Sequence, residues 1–231
     1  MGQGDAGRVD QAFARPPASD TEIISPELYL NGFAPVEVDP PTLSSGEHRI
    51  DKPTTAGQLV MLEILGARLG YVKAWDAVRG WHGDSSVDYR KSGKVCVAVS
   101  TDLVDDPGRN RFEAAAREWA KGMPAASVTR DGNEVEIRSC DPGPAFKPPT
   151  QDPSVFETLQ IRSGFAQGVR ESGHLDGTMA ACITDRLISQ IGPKAFSSLN
   201  QEVPDPAVVG VLTAAAPAAR AVCQANPDNR S

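Results

Sequence analysis

Four widely spaced cysteines are the strongest constraint on the fold of this 231-residue chain. None belongs to a Cys-x-x-Cys pair and no histidine lies three to five residues from another, so the usual zinc-ligand spacings are absent from the sequence. An even number of well-separated cysteines is typical of disulfide-bonded proteins in oxidising compartments. The alternative is a cytosolic protein with four buried free thiols.

Four cysteines can form two disulfides in three ways. We favour Cys96–Cys140 and Cys182–Cys223, because each pair then lies within one half of the chain. Each bond would close a loop of roughly 40 residues, for which the chain-entropy model gives about 4 kcal/mol of stabilisation.

The composition argues against two classes of partner. The chain has 30 acidic and 23 basic residues and a net charge of −7, so it lacks the basic excess that nucleic acids and anionic lipids attract. Continuous apolar runs such as residues 59–62 are far shorter than the ~20 residues of a membrane span. We therefore expect no nucleic-acid partner, and membrane attachment only through a tether outside this chain.

The distribution of proline divides the chain into three parts. Residues 1–55 contain many prolines, which exclude long helices, and are predicted to form an extended arm around a core. Residues 56–145 are predicted to form an α+β domain, and residues 146–231 a small helical domain. The boundary between these two domains falls in the proline clusters of residues 141–149, which resemble a semi-rigid linker.

The middle part shows both helix and strand signals. A capping box at residues 55–58 predicts the start of a helix, and a second helix is expected over residues 72–78. Residues 80–84 are interpreted as a tight turn between two glycines. Hairpins are predicted at residues 91–93 and at Asp131-Gly132.

Helix-start signals mark the rest of the chain. Asp106 is predicted to cap a helix that begins at Pro107, and Asp152-Pro153 and Asp205-Pro206 repeat this arrangement. Together these patterns predict an α+β fold: a small antiparallel or mixed sheet packed with helices, followed by a helical subdomain stapled by Cys182–Cys223.

Sequence motifs give no catalytic residue, no metal ligand and no cofactor. Residues 2–7 match a dinucleotide-binding pattern in letters, but no strand leads into them, so we interpret them as a tail. Ser172, His174 and Asp176 lie too close in sequence for a catalytic triad, whose members converge from separate elements.

The most distinctive local feature is the Trp81-His82-Gly83-Asp84 segment. We name Trp81, His82 and Asp84 as candidate binding residues, since an exposed Trp beside a His and an Asp could hold a ligand. In the alternative interpretation the Trp anchors the sheet, the glycine permits a sharp reversal and Asp84 satisfies the turn.

Two segments resemble those of one protein family. PPASDTEIISPELYL, at residues 16–30, resembles the PP-x-S-T-E-Q…H-P-E-K-Y-L segment of bacterial, in particular actinobacterial, neutral-zinc-metallopeptidase-like proteins. GWHGD, at residues 80–84, resembles their GWGGDRY turn, and the resemblance extends over about residues 8–140. It implies a metallopeptidase-derived scaffold whose globular part lies outside the cytoplasm, and a membrane anchor.

The motif that would supply activity is missing from this sequence. Such peptidases hold zinc through a His-Glu-x-x-His helix upstream of these segments, with the Glu as general base. The nearest string here, at residues 171–174, lacks the second histidine, so no catalytic or metal-binding role carries over to any position.

We therefore predict a non-catalytic, extracytoplasmic domain of a bacterial cell-envelope protein that binds a protein or another envelope ligand. Whether the chain is an enzyme stays open. The first alternative is the substrate-cleft part of a zinc metallopeptidase whose metal-binding helix lies upstream. The second is a carrier of a small ligand or lipid in an apolar cleft between the two domains.

Overall fold

A computed structural model describes residues 10, 12–147, 154–201 and 203–225. The helices are α1 Asp20–Ile24, α2 Pro26–Leu30, α3 Gln58–Leu69, α4 Tyr71–Val78, α5 Asp106–Ala120, α6 Val155–Gly173, α7 Gly177–Ile191, α8 Pro193–Ser197 and α9 Pro206–Ala225, with a 3-10 turn at Ser198–Asn200. The strands are β1 His48–Arg49, β2 Trp81–Lys91, β3 Lys94–Leu103, β4 Ser127–Asp131 and β5 Glu134–Cys140.

The strands form one antiparallel sheet in the order β1-β2-β3-β5-β4. Ser92 and Gly93 connect β2 to β3 at φ values of 51° and 80°, the left-handed conformations of a tight two-residue hairpin. Gly132, at φ 55°, lies in the second predicted hairpin, between β4 and β5. The predicted hairpins and the α+β class are confirmed.

Helix α5 packs across β3, β4 and β5. Phe112, Ala116 and Trp119 are buried on one side of it, at the helical spacing that the sequence shows. Its cap was predicted one residue too late. The side chain of Asp105, not of Asp106, accepts a hydrogen bond of 2.6 Å from the Gly108 N–H.

The predicted turn at residues 80–84 is wrong, because β2 already begins at Trp81. The glycine that suggested a reversal has a different role. A Cβ at Gly83 would lie 2.3 Å from the Val36 carbonyl oxygen, so the missing side chain lets the arm lie directly against the strand. The Val36 N–H donates to the His82 carbonyl at 2.8 Å. Further along, β1 pairs with the same edge of β2.

The predicted capping box at the start of α3 is also wrong. The N-cap residue is Gly57, at φ 87°, which has no side chain that could accept a hydrogen bond from the first N–H groups of the helix. Instead, Asp84 accepts hydrogen bonds of 2.7 and 2.8 Å from the N–H groups of residues 56–57. Asp20 accepts bonds of 3.2 and 2.7 Å from those of residues 58–59. Two carboxylates from distant segments therefore satisfy consecutive donors that a helix start leaves without partners.

Both disulfides have the predicted pairing. Cys96 and Cys140 face each other on β3 and β5, with Cα atoms 3.9 Å apart and a sequence separation of 44. Cys182 on α7 and Cys223 on α9 have Cα atoms 6.1 Å apart and are separated by 41 residues. The first bond holds two strands together and the second holds α9 against the rest of the helical part.

One hydrophobic cluster joins the helical part to the α+β part. Val155 and Leu159 of α6, Ile188 of α7 and Phe196 of α8 belong to the same cluster as Trp81 at the start of β2. The domain boundaries at residues 55 and 145 stay predictions. The expected helix start at Asp152-Pro153 lies outside the described residues, and α6 is capped by Ser154, which accepts from the Glu157 N–H at 3.1 Å.

Helix α9 is long and apolar enough to cross a membrane by length and composition, with a mean hydropathy of 1.5. Continuous apolar runs in the sequence do not reveal this helix, because small residues and Pro217 interrupt its apolar stretch. Only 17% of this stretch is buried in the fold. Such a composition also occurs in helices that pack on a protein, and α9 buries Leu212, Ala219 and Cys223.

Replacing Asp20 with alanine should destabilise the fold by about 1–2 kcal/mol, because two N–H groups at the start of α3 lose their acceptor. Urea unfolding followed by circular dichroism would measure this loss. Asp51→Ala, at an exposed position of the arm, is the matched control. An equal effect of both substitutions would contradict the capping role of Asp20.

Removing either disulfide should cost about 2–5 kcal/mol. The two loops have similar lengths, so the paired variants Cys96→Ala/Cys140→Ala and Cys182→Ala/Cys223→Ala should lose similar amounts of unfolding free energy in urea. Alkylation under denaturing conditions should modify no cysteine before reduction and all four after it. Reactive thiols in the unreduced protein would overturn the assignment.

Candidate functional site

Two of the three predicted binding residues are buried and bonded to each other. Trp81 is 1% exposed, and its indole N–H donates to Asp84 Oδ2 at 2.9 Å. Burial raises the pKa of the Asp84 carboxyl, while the N–H groups of residues 56–57 and the Trp81 indole oppose that rise. This arrangement matches the structural interpretation of the segment, in which Trp81 is an anchor and Asp84 satisfies backbone donors.

The third predicted residue, His82, is partly exposed. Its Nδ1 lies 3.4 Å from Asp102 Oδ2, and Asp102 is also 3.2 Å from Arg109 Nη2. The His82 ring centroid is 6.2 Å from that of Phe33 in the arm. A cavity of about 380 Å³ lies beside Trp81 and Asp84, below the arm. Ligand binding by these three residues stays a prediction.

A smaller and more polar cavity lies where the arm meets α4, α6 and α7. Its volume is about 100 Å³. We call it the Arg162 cavity and define it by six of its lining residues: Glu27, Gln58, Tyr71, Trp75, Arg162 and Asp185.

Arg162 is the central charge of this cavity and is fully buried. Its Nε and Nη2 donate to the two carboxylate oxygens of Asp185 at 2.6 and 3.0 Å, and Nη1 donates to the Ile24 carbonyl at 3.3 Å. The guanidinium carbon lies 4.2 Å from the centroid of the Trp75 ring. The side chain therefore contacts α4, α7 and the arm at once.

Three other side chains lining the cavity carry a buried polar atom with no partner in the described part of the chain. These atoms are Gln58 Oε1, the Tyr71 hydroxyl and Trp75 Nε1. Their residues are only 2%, 4% and 6% exposed. Burying a polar group without a hydrogen bond is unfavourable, and native proteins contain few such groups. The three residues that carry these atoms all line the Arg162 cavity.

Two charged side chains of the cavity are also incompletely neutralised. Glu27 lies 3.8 Å from Arg162 Nη2, beyond hydrogen-bond distance, because the guanidinium is oriented towards Asp185. Arg186 lines the cavity without an ion pair or hydrogen bond in the described ranges. Glu27 also accepts hydrogen bonds from Ser25 and from its own backbone N–H.

The electrostatics of the site follow from burial. Burial raises the pKa of the Tyr71 phenol, so the hydroxyl remains a donor at physiological pH. Burial also raises the pKa of the Glu27 carboxyl, an effect that Arg162 opposes and Asp185 reinforces. For Arg162, burial acts against the charge but Asp185 outweighs it, so the guanidinium stays protonated.

Sequence reasoning missed this cavity, although one signal was present. Arg162 stands at the position that an apolar residue should occupy on the buried side of α6, after Val155, Thr158 and Leu159. A cation in an apolar helix stripe needs a buried partner. That partner, Asp185, is on another helix and could not be identified from the sequence.

His174 and Asp176, considered above for a catalytic triad, both lie at helix ends. His174 ends α6 in the left-handed conformation at φ 47°, and Asp176 caps α7 by accepting from the Met179 N–H at 2.8 Å. The motif at residues 2–7 lies outside the described residues. Within the described ranges, no group of three or more His, Cys, Asp or Glu side chains is placed to hold a metal ion.

Comparisons with known proteins add no relative: no family model matches this chain, and no curated protein and no solved structure matches it significantly. The resemblance to metallopeptidase-like proteins therefore depends on the two segments alone. In the fold these segments meet, since Asp20 belongs to the first and Asp84 to the second, and both bind the start of α3.

Replacing Glu27 with glutamine should stabilise the protein near pH 7–8. The raised pKa means that the folded state holds the Glu27 proton more tightly than the unfolded state does. Wild-type stability is therefore lost as the pH rises past the ordinary value of 4.5, whereas the variant carries no titrating group there. Its advantage should shrink as the pH falls below 4.5.

Urea unfolding between about pH 4 and 8 would measure this trend for the wild type and Glu27→Gln. Glu37→Gln, at an exposed position of the arm, controls for the loss of one negative charge. A variant less stable than the wild type at pH 8 would show that the ion pair with Arg162 outweighs the burial of Glu27.

Proposed function

We propose that this chain is a non-catalytic, extracytoplasmic binding domain of a bacterial cell-envelope protein, and that it binds a small polar ligand in the Arg162 cavity. The observation that carries the proposal is that Gln58, Tyr71 and Trp75, each with an unpartnered buried polar atom, all line that cavity together with several charged side chains.

The two disulfides are typical of an oxidising, extracytoplasmic or secreted environment. The finer assignment to the cell envelope, the metallopeptidase-derived scaffold and the membrane tether come from the resemblance of residues 16–30 and 80–84. The first of these segments forms α1 and α2, and its Glu27 lines the cavity. In this proposal the scaffold segment helps to build the ligand site.

The cavity lies between the α+β part and the helical part, where a carrier would also place its ligand. Its lining favours a polar ligand over a lipid. Glu27, Asp185 and Arg186 are all charged, and an acyl chain would cover them without replacing their contact with water. We therefore propose a small-ligand site rather than an apolar cleft.

A screen of thermal unfolding would test the proposal. The probes are free amino acids, short carboxylic acids, amines, monosaccharides and polyols, each at about 10 mM. A compound that binds only the folded state should raise the unfolding midpoint in proportion to the logarithm of its concentration. We expect at least one class to do so for the wild type.

Two variants assign the effect to the cavity. Tyr71→Phe removes one unpartnered hydroxyl and should fold normally, yet the ligand-induced shift should largely disappear. Tyr89→Phe is the matched control, because Tyr89 is equally buried but belongs to a separate cluster around Cys96. If no probe stabilises the wild type, or if both variants respond like it, the Arg162 cavity is not a binding site.

A further inference from the structure

We infer that the exposed side of α9 is a homodimer interface, on which a second copy of this chain packs its own α9 in the antiparallel direction. This inference is independent of the Arg162 cavity.

The side of α9 that is turned away from the protein is apolar over most of its length. The residues on it recur at the i, i+3, i+4, i+7, i+11 spacing of one helix side, and all are exposed: Ala207, Gly210, Val211, Ala214 and Ala218. We call these five residues the α9 face. Val211 is 55% exposed, and Arg220 is the only charged residue of the helix. A continuous apolar surface on a folded protein marks an interaction site.

A membrane does not suit the α9 face, although the helix is long enough to cross one. Cys223 in the last turn of α9 is bonded to Cys182 of α7, so this end of the helix is held against the protein while the disulfide is intact. Helices that lie on a membrane carry several Lys or Arg and bury Trp, Phe or Leu in the lipid. α9 has one arginine, no aromatic residue, and its single leucine is buried in the fold. The α9 face therefore fits another protein better than lipid.

A second, antiparallel copy of α9 complements this face in shape. A two-fold axis between residues 212 and 213 places Val211 of each copy opposite Ala214 of the other, and Ala207 opposite Ala218. The larger side chain at the centre thus meets a small one, and side chains of this size allow two helices to approach closely.

The same alignment also complements charge. Asp205, directly before α9, is then level with Arg220 of the partner subunit. Both residues are exposed, and neither forms an ion pair among the described residues. A parallel dimer would instead place like charges at the same level, which is unfavourable. The charges therefore favour the antiparallel direction.

The area of this interface predicts a weak, reversible dimer. The 20 residues of α9 form a helix about 30 Å long and about 10 Å wide. Covering half of its circumference buries about 450 Å² in each copy and about 900 Å² in total. Stable complexes bury about 1,200–2,000 Å², and transient ones less. We therefore expect a dissociation constant weaker than about 1 μM.

Analytical ultracentrifugation of the full chain from about 5 to 500 μM tests the inference. The wild type should pass from the monomer mass of 24.5 kDa to twice that mass as its concentration rises. A monomer throughout this range would overturn the dimer.

Substitutions that introduce one charge locate the interface. Val211→Glu should weaken dimerisation by about tenfold or more, because two like charges would then lie near its centre. Val60→Glu is the matched control, since Val60 on α3 is 45% exposed and lies outside the α9 face. Both variants should keep the thermal unfolding midpoint of the wild type at low protein concentration. Equal dimerisation of Val211→Glu and the wild type would contradict the interface.

A pair of charge variants tests the direction of the helices. In an antiparallel dimer, Asp205→Asn should weaken dimerisation of the wild type but strengthen that of Arg220→Glu, because the partner's residue 220 then has the opposite charge. The asparagine can still accept the hydrogen bond that Asp205 accepts from the Ala207 N–H at 2.8 Å, so the helix start is retained. An effect of the same sign in both backgrounds would overturn the antiparallel arrangement.

Flotation with phosphatidylcholine vesicles distinguishes the dimer from lipid binding. The wild type should remain in the fraction without lipid. If it floats with the vesicles and Val211→Glu does not, the α9 face binds a membrane and the dimer is wrong.

Discussion

A guanidinium that has lost contact with water must be surrounded by acceptors, and this requirement fixes how the parts of the fold meet. The desolvation penalty of a buried ion amounts to several kcal/mol, so Arg162 can stay inside only with its partners in place. Those partners are Asp185 on α7, the Ile24 carbonyl in the arm and the Trp75 ring on α4. Arg162 therefore links the arm and α7 to α4 of the α+β part.

The start of α3 is a second junction of the same kind. Asp20 from the arm and Asp84 from β2 accept hydrogen bonds from the N–H groups at this helix start. Gly57 leaves the space that Asp20 occupies, because a Cβ at this position would lie 2.5 Å from Asp20 Oδ2. The arm thus makes polar contacts with the core at both ends of α1, through Asp20 and the Ile24 carbonyl. A buried hydrogen bond requires one specific arrangement of its donor and acceptor.

Features encoded by neighbouring residues could be predicted from the sequence. Ser92-Gly93 and Asp131-Gly132 determine their hairpins locally, and the helix stripe that includes Phe112 is visible as a period in the sequence. The disulfide pairing followed because each bond joins cysteines of one part. The cap of α3 and the cavity could not be predicted, because Asp20 and Asp185 satisfy groups far from them along the chain.

Trp81 and Trp75 differ in whether the indole N–H has an acceptor, and this difference distinguishes the structural cluster at Trp81 from the candidate ligand site at Trp75. Trp81 and Trp75 are both buried, and each presents the same indole donor. The Trp81 N–H is satisfied by Asp84, whose other bonds go to the backbone N–H groups of residues 56–57. Trp75 lines a cavity, and its N–H has no acceptor in the described part of the chain. The sequence drew attention to Trp81 because its neighbours are distinctive, but the unmet hydrogen bond of Trp75 is the stronger argument for binding.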